Sequence, residues 1–309
     1  AKQADVGSTV QGERRIIKEK GNLDDQTKKK LALLGNGYLS GIVVEAYNMG
    51  LLEGYKLTGI LGRTKEKTEA LAAKAGCRAC STIEELMEDK PDYVAEAASV
   101  KSIKDYAKTI LCQGASLVVL SIGAFADQEF YEQAKNCAME HGTRIYLASG
   151  AVGGFDVLRT TSLMALAQKM KAEGLSASEA GSLDGYLTAG ISTRKGPASL
   201  MGTPVFKDYF MTDPEEAAAF SGSAKEAIGL LPTKVNVAVA SSLATAGPDE
   251  TTVDITSVPG MAGDDHKITA KIGGPDEVEA VVDIYSRTSA IAGWSIVAVL
   301  RNILSPVVF

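Results

Sequence analysis

Apolar and polar positions follow a repeating pattern along residues 30–148. Short apolar runs predict strands, and longer stretches with apolar residues every three or four positions predict helices between them. The predicted strands lie at 31–35, 56–61, 92–97, 116–121 and 143–148, and the predicted helices at 39–50, 65–76, 100–113 and 127–141. Strands that alternate with helices at this spacing are typical of an α/β fold with a doubly wound parallel sheet.

The pattern changes after residue 150. A glycine-rich loop at 149–154 is followed by a long predicted helix at 155–172 and then by segments in which apolar and polar residues alternate. These segments are Ser182–Ser192, Lys234–Ala240, Thr251–Ser257 and His266–Ile272, and a last apolar segment at 290–304 predicts a buried helix. The alternation favours a second α+β domain whose mixed or antiparallel sheet has one exposed face.

These changes divide the chain into four parts. Residues 1–29 are polar and predict an N-terminal extension, in which Gln11–Lys20 is a candidate short helix. Residues 30–150 form the first domain and residues 151–289 the second, catalytic domain. We expect residues 290–309 to form a C-terminal helix that packs back on the first domain.

The turn after the first predicted strand is rich in glycine. Residues 35–41 read Gly-Asn-Gly-Tyr-Leu-Ser-Gly, directly before a predicted helix. Gly35 permits a tight turn, and Gly37 lets a pyrophosphate approach the helix N-terminus, where free N–H groups and the helix dipole favour anions. The motif predicts a Rossmann-type dinucleotide-binding domain, although any α/β protein can carry such a turn. The predicted cofactor-binding residues here are Gly35, Asn36, Gly37, Tyr38 and Leu39.

The end of the second predicted strand indicates which dinucleotide is bound. Sites that prefer NAD usually carry Asp or Glu here to hold the ribose 2′-OH. This chain has Gly62-Arg63-Thr64 instead. An arginine pairs with a 2′-phosphate, which a carboxylate would repel. We therefore expect NADP or NAD as cofactor, with NADP favoured and Arg63 and Thr64 in the site; the alternative is that Arg63 only begins a solvated helix.

Composition narrows the classes of partner. The chain has 309 residues, enough for two domains, and a net charge of −6 with no basic stripe. We therefore expect neither a nucleic-acid nor a membrane partner, and a cytoplasmic location because no secretory leader is visible. The four cysteines, Cys77, Cys80, Cys112 and Cys137, are expected to be ordinary reduced thiols and no metal site is predicted.

The two histidines differ in context. His141 lies between Glu140 and Gly142, which is typical of a helix C-terminus, and we interpret it as structural. His266 follows Asp264-Asp265 at the start of a predicted strand. Two adjacent carboxylates are expected to raise its pKa toward the working pH, which makes it a candidate general acid or base.

Four segments, in this order and spacing, resemble the L-aspartate dehydrogenase family of nicotinamide-dependent enzymes. They are Pro91–Ser99, Ser121–Asp127, Ile145–Gly154, and a region that runs from Asn236–Ala240 through His266–Ile268 to the terminal helix. The resemblance covers about residues 30–304. It implies conversion of L-aspartate to oxaloacetate and ammonia through an imine, with hydride transfer between Cα and nicotinamide C4, and the reverse reaction.

The resemblance also implies residue roles. The family's catalytic histidine falls on His266, which would act as general acid or base on the water that adds to the imine. Ala124 and Asn236 fall on cofactor-contacting positions, and the small residues Ala97 and Ala98 leave room for the nicotinamide ribose. This chain departs from the family pattern just before the segment that contains His266. Related chains often carry Asn there, and this chain has Asp264-Asp265.

An aspartate-like substrate carries two carboxylates, so its site needs cations and hydrogen-bond donors. Thr193, Arg194 and Lys195 end a predicted strand and are candidate substrate ligands, together with Ser149 and Gly150 as hydroxyl or backbone donors. The alternative is that Thr193–Lys195 only begin a solvated loop. We expect a dicarboxylic amino acid or oxo acid and ammonia as substrates, and a homodimer. Two alternatives are a related NADP-dependent dehydrogenase or reductase with another amino- or oxo-acid substrate, and a non-catalytic NADPH-binding sensor.

Overall fold

A computed structural model describes residues 27–231, 236–274 and 276–309. The first of two sheets in this part of the chain is built from six strands, and helices connect most of them. The strands are β1 (Lys29–Leu34), β2 (Tyr55–Leu61), β3 (Arg78–Cys80), β4 (Tyr93–Glu96), β5 (Ser116–Val119) and β6 (Ile145–Leu147). The helices are α1 (Tyr38–Asn48), α2 (Lys65–Ala75), α3 (Ile83–Met87), α4 (Val100–Cys112) and α5 (Gln128–Glu140).

All strand pairs in this sheet are parallel, and their order is β3-β2-β1-β4-β5-β6. The order reverses direction between β1 and β4, which opens a crevice at the carboxyl ends of these strands where ligands bind in such sheets. The centre of β1 is buried, with no exposed surface on Leu31, Ala32 or Leu33, as expected when helices cover both faces. The predicted doubly wound sheet is confirmed.

The second sheet has five strands in the order β11-β10-β7-β9-β8. The strands are β7 (Leu187–Lys195), β8 (Ala217–Ser223), β9 (Thr251–Ser257), β10 (Asp264–Ile272) and β11 (Val278–Ser286). The associated helices are α6 (Phe155–Glu173), α7 (Ala224–Leu230) and α8 (Asn236–Ala244), and short 3₁₀ turns occur at Ile122–Ala126, Pro197–Leu200 and Asp208–Met211. β7 and β9 pair in parallel and the other pairs are antiparallel, so the predicted mixed sheet is also confirmed.

Alternate residues of the central strands are buried and exposed. On β9 the pattern begins with buried Thr251 and exposed Thr252, and on β10 it includes buried Ile268 and exposed Lys267. The contacts of α6 with β10 and β11, and of α8 with β7, account for the buried face. In the described part of the chain the side chains of the opposite face are exposed or half-buried, which explains the period-two pattern seen in the sequence.

One predicted strand is wrong. Within Lys234–Ala240, the residues from Asn236 onward begin helix α8, while residues 234 and 235 lie outside the described part. Five consecutive residues of α8 from Ala238 to Ser242 are buried, so the helix shows no polar face and its short apolar run cannot be distinguished from a strand by periodicity. Strands β8 and β11 were not predicted, and the candidate helix at Gln11–Lys20 lies outside the described residues.

The last helix, α9 (Ala290–Leu304), packs against α1 of the first sheet. A Cβ atom at Gly293 would lie 2.8 Å from Ile42 Cδ1, so glycine permits this close approach. The Tyr55 hydroxyl donates a 2.7 Å hydrogen bond to the Leu300 carbonyl, and Ile296 is fully buried in the same cluster. The end of the chain is therefore part of the first sheet's packing. Among the described residues, none of the helices is both long and apolar enough to cross a membrane.

Candidate active site

The glycine-rich turn connects β1 to α1 at the crevice. Gly35 has φ +126°, and a Cβ atom there would lie 2.4 Å from the Ala97 carbonyl oxygen, so this position requires glycine. At Gly37, by contrast, a Cβ atom would have no protein atom within 4 Å. The N-terminus of α1 carries no side-chain cap and no acidic residue in its first turn. These features fit the pyrophosphate of a dinucleotide, whose charge the free N–H groups would hold.

Asn36 ties this turn to the end of β2. Its Nδ2 donates 2.8 Å hydrogen bonds to the Thr64 carbonyl and to Thr68 Oγ1. A Cβ atom at Gly62 would lie 2.3 Å from Asn36 Cγ. Packing against Asn36 thus requires glycine at position 62. Gly62 is also the position at which NAD-preferring sites usually carry the acidic residue that holds the ribose. Asn36 has a positioning role beside its predicted contact with cofactor.

Arg63 is exposed and has no ion pair or hydrogen bond with other described residues. It lies directly after β2 and before α2, whose N-cap residue is Thr64. Tyr38 is 64% exposed at the start of α1, and Leu39 is half-buried. The guanidinium of Arg63 therefore has no internal partner in the described structure that would compete with a phosphate.

Glu96, which the sequence analysis did not single out, connects the ends of β4 and β5. Its fully buried carboxylate accepts hydrogen bonds from Ala98 N–H, Leu120 N–H, Ser121 N–H and the Ser121 hydroxyl. Burial raises its pKa, and the hydrogen bonds from Ser121 and its neighbours oppose that shift. The feature of the sequence that could have identified Glu96 is a charged residue at the end of an apolar strand. Half-buried Ala97 and exposed Ala98 follow it at the crevice.

Asn236 and the Ile122–Ala126 turn lie at the junction of the two sheets. The Gly123 N–H donates a 2.9 Å hydrogen bond to Asn236 Oδ1. Because Gly123 N–H is a donor, the amide must present its oxygen there, which leaves Nδ2 to donate elsewhere. Ala124 is completely buried, whereas Gly123 is half-buried. Gly123 was not among the predicted cofactor-binding residues, and the accessible edge of this turn belongs to it rather than to the Ala124 side chain.

His266 is 4% exposed and lies near the start of β10 in the second sheet. Its Nδ1 lies 3.0 Å from Thr193 Oγ1, and the two residues are paired across β10 and β7. Among the described residues, Nε2 has no hydrogen-bond partner. If Nδ1–H donates to the threonine oxygen, Nε2 keeps a lone pair and can accept a proton.

The expected direction of the His266 pKa shift is wrong. Burial lowers the pKa below its ordinary value, Asp264 and Asp265 raise it, and Lys195 lowers it further. The desolvation of the imidazolium outweighs the attraction of the carboxylates. The lowered pKa favours the neutral imidazole, which is the form that a general base requires.

The candidate substrate ligands on β7 fall on two faces of the sheet. Thr193 and Lys195 pair with His266 and Asp264, so their side chains share the face of the imidazole. Lys195 is mostly buried, with its side chain 13% exposed and Nζ 3.5 Å from Asp264 Oδ1. Arg194 is on the other face, where it forms ion pairs with Glu216 and Asp265. The structure brings Lys195 and Thr193 together with His266 and does not bring Arg194 there.

The loop at 149–154 extends from the first sheet to the second. Gly150 N–H donates a 3.0 Å hydrogen bond to Ser295 Oγ on α9, so this donor is used within the protein. The Ser149 hydroxyl has no hydrogen bond to another described residue and is free to donate. A Cβ atom at Gly154 would lie 2.5 Å from Val282 on β11, the strand that pairs with β10 beside His266. The loop thus approaches the histidine side of the sheet.

Comparison with known proteins places this arrangement in a family. Residues 175–303 match the family described as "Aspartate dehydrogenase, C-terminal", and residues 34–148 match "Homoserine dehydrogenase, NAD binding domain". The L-aspartate dehydrogenase of Methanocaldococcus jannaschii is 25% identical over 90% of this chain and 98% of its own length. The one from Methanosarcina mazei is 29% identical with the same coverage. Over nearly its whole described length the chain is therefore similar to L-aspartate dehydrogenases.

The fold of the chain agrees with that of a solved structure. The crystal structure of aspartate dehydrogenase from Thermotoga maritima superposes with a TM-score of 0.66, at 22% identity, over 91% of this chain and 99% of that one. The family match identifies the first sheet as a nicotinamide dinucleotide-binding domain. It also makes the chain an oxidoreductase.

Proposed function

We propose that this protein is an NAD(P)-dependent L-aspartate dehydrogenase. The observation that carries the proposal is a buried histidine whose Nε2 has no hydrogen-bond partner among the described residues and which lies on the same sheet face as a mostly buried lysine. Relatives named L-aspartate dehydrogenase match the chain over nearly their whole length, so the same two-domain frame is present. A further candidate is an oxidoreductase of the same family that uses another amino or oxo acid.

The roles follow from what each side chain offers. When bound, the nicotinamide cofactor supplies the hydride acceptor or donor. His266 Nε2 takes a proton from the water that adds to a substrate imine, while Thr193 holds the imidazole in orientation. Lys195 binds a substrate carboxylate by charge. Asn236 Nδ2 and the Ser149 hydroxyl are the donors proposed to hold the nicotinamide carboxamide and the substrate, respectively.

The decisive experiment follows absorbance at 340 nm with oxaloacetate, ammonia and each reduced cofactor, and in reverse with L-aspartate and each oxidised cofactor. Turnover of aspartate and oxaloacetate in preference to glutamate, alanine and their oxo acids supports the proposal. Faster turnover of another amino acid would identify the alternative dehydrogenase. Cofactor binding without turnover of any substrate in the panel would favour a sensor and reject the enzyme.

NADP is proposed as the favoured cofactor because exposed Arg63 follows β2 where no carboxylate is present. Replacing Arg63 by Ala removes a charge-assisted contact of about 1.5–3 kcal/mol, which is roughly 10- to 100-fold in NADP affinity. NAD affinity should change little. The matched control is Lys65→Ala, two residues further on the exposed start of α2. Equal losses for NADP and NAD in Arg63→Ala would reject the assignment.

A homodimer is proposed on the open face of the second sheet. This face carries both signs of charge, with Arg194 and Lys267 beside Asp254 and Asp283, and it exposes Val281 and Tyr285. A self-complementary face of this kind suits a two-fold interface. Light scattering after gel filtration should report twice the chain mass, and Val281→Glu should shift it toward the monomer. A monomeric wild-type protein would reject this part of the proposal.

We also propose a cytoplasmic location and a boundary between the two domains near residue 150. The four cysteines are free thiols, which agrees with a reducing cytoplasm. The division near residue 150 coincides with the end of β6 and the start of α6, where one sheet gives way to the other.

A further inference from the structure

Two cysteines and one histidine meet beside α4 and α5. Cys112 is the last residue of α4, Cys137 lies on α5, and His141 directly follows α5. One ligand atom from each of the three residues lies within 4.8 Å of the other two. Cys137 Sγ lies 3.9 Å from His141 Nδ1. In the part of the chain that the structure describes, this is the one group of three or more Cys, His or acidic residues with such mutual distances.

The geometry suits a tetrahedral metal ion. Cys137 and His141 are four residues apart and so share one helix face, and Cys112 comes from the neighbouring helix. Zinc binds sulfur at about 2.3 Å and imidazole nitrogen at about 2.0–2.1 Å. Ligand atoms of a tetrahedral site are therefore about 3.5–3.8 Å apart, close to the 3.9 Å between Cys137 Sγ and His141 Nδ1. In this structure His141 Nδ1 also lies 3.0 Å from the Cys137 carbonyl oxygen, a hydrogen bond that a metal bond at Nδ1 would replace.

The surroundings favour a cation. Both α4 and α5 end at this cluster, and their C-termini carry the negative ends of the helix dipoles. The charged neighbours of Cys137 are Glu140, which favours a cation, and Lys108, which opposes one. His141 is exposed and Cys112 is half-buried, so an ion has access and water can fill a fourth position.

The cluster is remote from the proposed catalytic chemistry. α4 and α5 begin beyond the carboxyl ends of β4 and β5 and return to the amino ends of β5 and β6. Since the cofactor crevice lies at the carboxyl ends, Cys112, Cys137 and His141 are at the opposite edge of the sheet. A metal ion here would stabilise the α4–α5 pair rather than take part in the reaction.

We propose that Cys112, Cys137 and His141 bind one thiophilic divalent metal ion, with Zn²⁺ as the best match and water as the fourth ligand. The ligands are two thiolates and a neutral imidazole, so binding releases the two thiol protons to solvent and no electron is transferred. Burial raises the pKa of Cys137 to about 11, which makes its proton one of those that the metal must displace.

The test uses the full-length protein, reduced and treated with a chelator, then titrated with Co²⁺ as a spectroscopic probe. We expect one equivalent of Co²⁺ to give near-ultraviolet thiolate-to-metal absorption and intense tetrahedral d–d bands, which Zn²⁺ then abolishes. Zn²⁺ should also raise the melting temperature. His141→Ala, at an exposed position, should weaken Co²⁺ binding at least tenfold, and Cys112→Ser and Cys137→Ser should remove most of the thiolate absorption.

Cys77→Ser is the matched control, because this cysteine is also in the first domain but outside the cluster; its binding should equal that of the wild type. Unchanged Co²⁺ spectra in Cys112→Ser or unchanged affinity in His141→Ala would overturn the proposal. Loss of two titratable thiols on mild oxidation, with no metal bound by the reduced protein, would show a disulfide pair instead. If Cys137→Ser fails to fold, the His141 and Cys112 variants still decide the question.

Discussion

The first sheet presents its candidate cofactor site mainly through backbone, whereas the second sheet presents its candidate catalytic group through side chains of paired strands. At the crevice, Gly35 permits close contact with Ala97, and Gly37 leaves space at the N-terminus of α1. In the second sheet, His266 depends on Thr193 across the β7–β10 pair. The first arrangement depends on where strands end, and the second depends on which face each residue takes.

This difference matters because successive residues of a strand point to opposite faces of the sheet. Arg194 and Lys195 are adjacent in sequence, yet only Lys195 shares the face of His266. A position at a strand end tolerates an error of one residue in a predicted boundary, but a face assignment is inverted by it. The following predictions test each side of the comparison.

The largest effect on activity is expected from a substitution of His266 on β10. His266→Ala should lower kcat by about 10²- to 10⁴-fold, the usual contribution of general acid–base catalysis, with cofactor affinity near normal. Steady-state kinetics and cofactor titration by fluorescence measure the two quantities. His141→Ala, at the other histidine, is the control and should retain wild-type kcat. A His266→Ala enzyme with most of its activity would make the histidine structural.

The face assignment is tested by two neighbouring substitutions. Lys195→Met should raise KM for a dicarboxylate by roughly 30-fold or more, because a substrate carboxylate left without its cation costs at least about 2 kcal/mol. Arg194→Met should change KM by less than about threefold, since Arg194 pairs with Glu216 on the opposite face. Comparing KM for aspartate and for alanine in both variants gives the result. The reverse ranking would place Arg194 in the site.

A matched pair of glycine substitutions tests the backbone site. Gly37→Ala should fold normally, since its Cβ meets no protein atom within 4 Å, but should weaken cofactor binding by about tenfold because the methyl group occupies ligand space. Gly35→Ala should lower the free energy of unfolding by about 2 kcal/mol or more, through a positive φ and overlap with Ala97. Urea unfolding and cofactor titration distinguish the two. Normal cofactor affinity in Gly37→Ala would contradict the pyrophosphate assignment.

The smallest effect concerns the pKa of His266. Two-dimensional NMR of the two histidines should give His266 a pKa below 6.5, because burial disfavours the imidazolium. Lys195→Met should raise this pKa, whereas exposed Lys267→Met on the opposite face should change it little.

The sign for stability follows from the same shift. Between the lowered pKa and about 6.5 the unfolded chain binds more protons than the folded protein. The contribution of His266 to stability is therefore present above about pH 6.5 and is lost as the pH falls through the folded-state pKa. The acid limb of kcat/KM should have its midpoint in the same range. A measured His266 pKa above 6.5 would show that the carboxylates dominate after all.

Much of the architecture followed from periodicity and glycine position. The strand–helix alternation of residues 30–148 and the turn at Gly35 and Gly37 predicted the parallel sheet and its crevice, because these are local features of the chain. Helix α8 was misassigned because its buried surroundings leave no polar face to read. The role of Glu96 in joining β4 to β5 was overlooked because three of its four hydrogen-bond donors, on Leu120 and Ser121, lie 24 and 25 residues away in the sequence.

From sequence alone came the alternation of strands and helices over residues 30–148, the position of the glycine-rich turn and the prominence of His266 among only two histidines. Only the tertiary structure decided which of Arg194 and Lys195 accompanies that histidine, in which direction its pKa moves, and that Cys112 lies beside Cys137 and His141. The physical reason is the same in each case. Burial, strand register and helix packing join residues that are distant in sequence, and no local pattern encodes those distances.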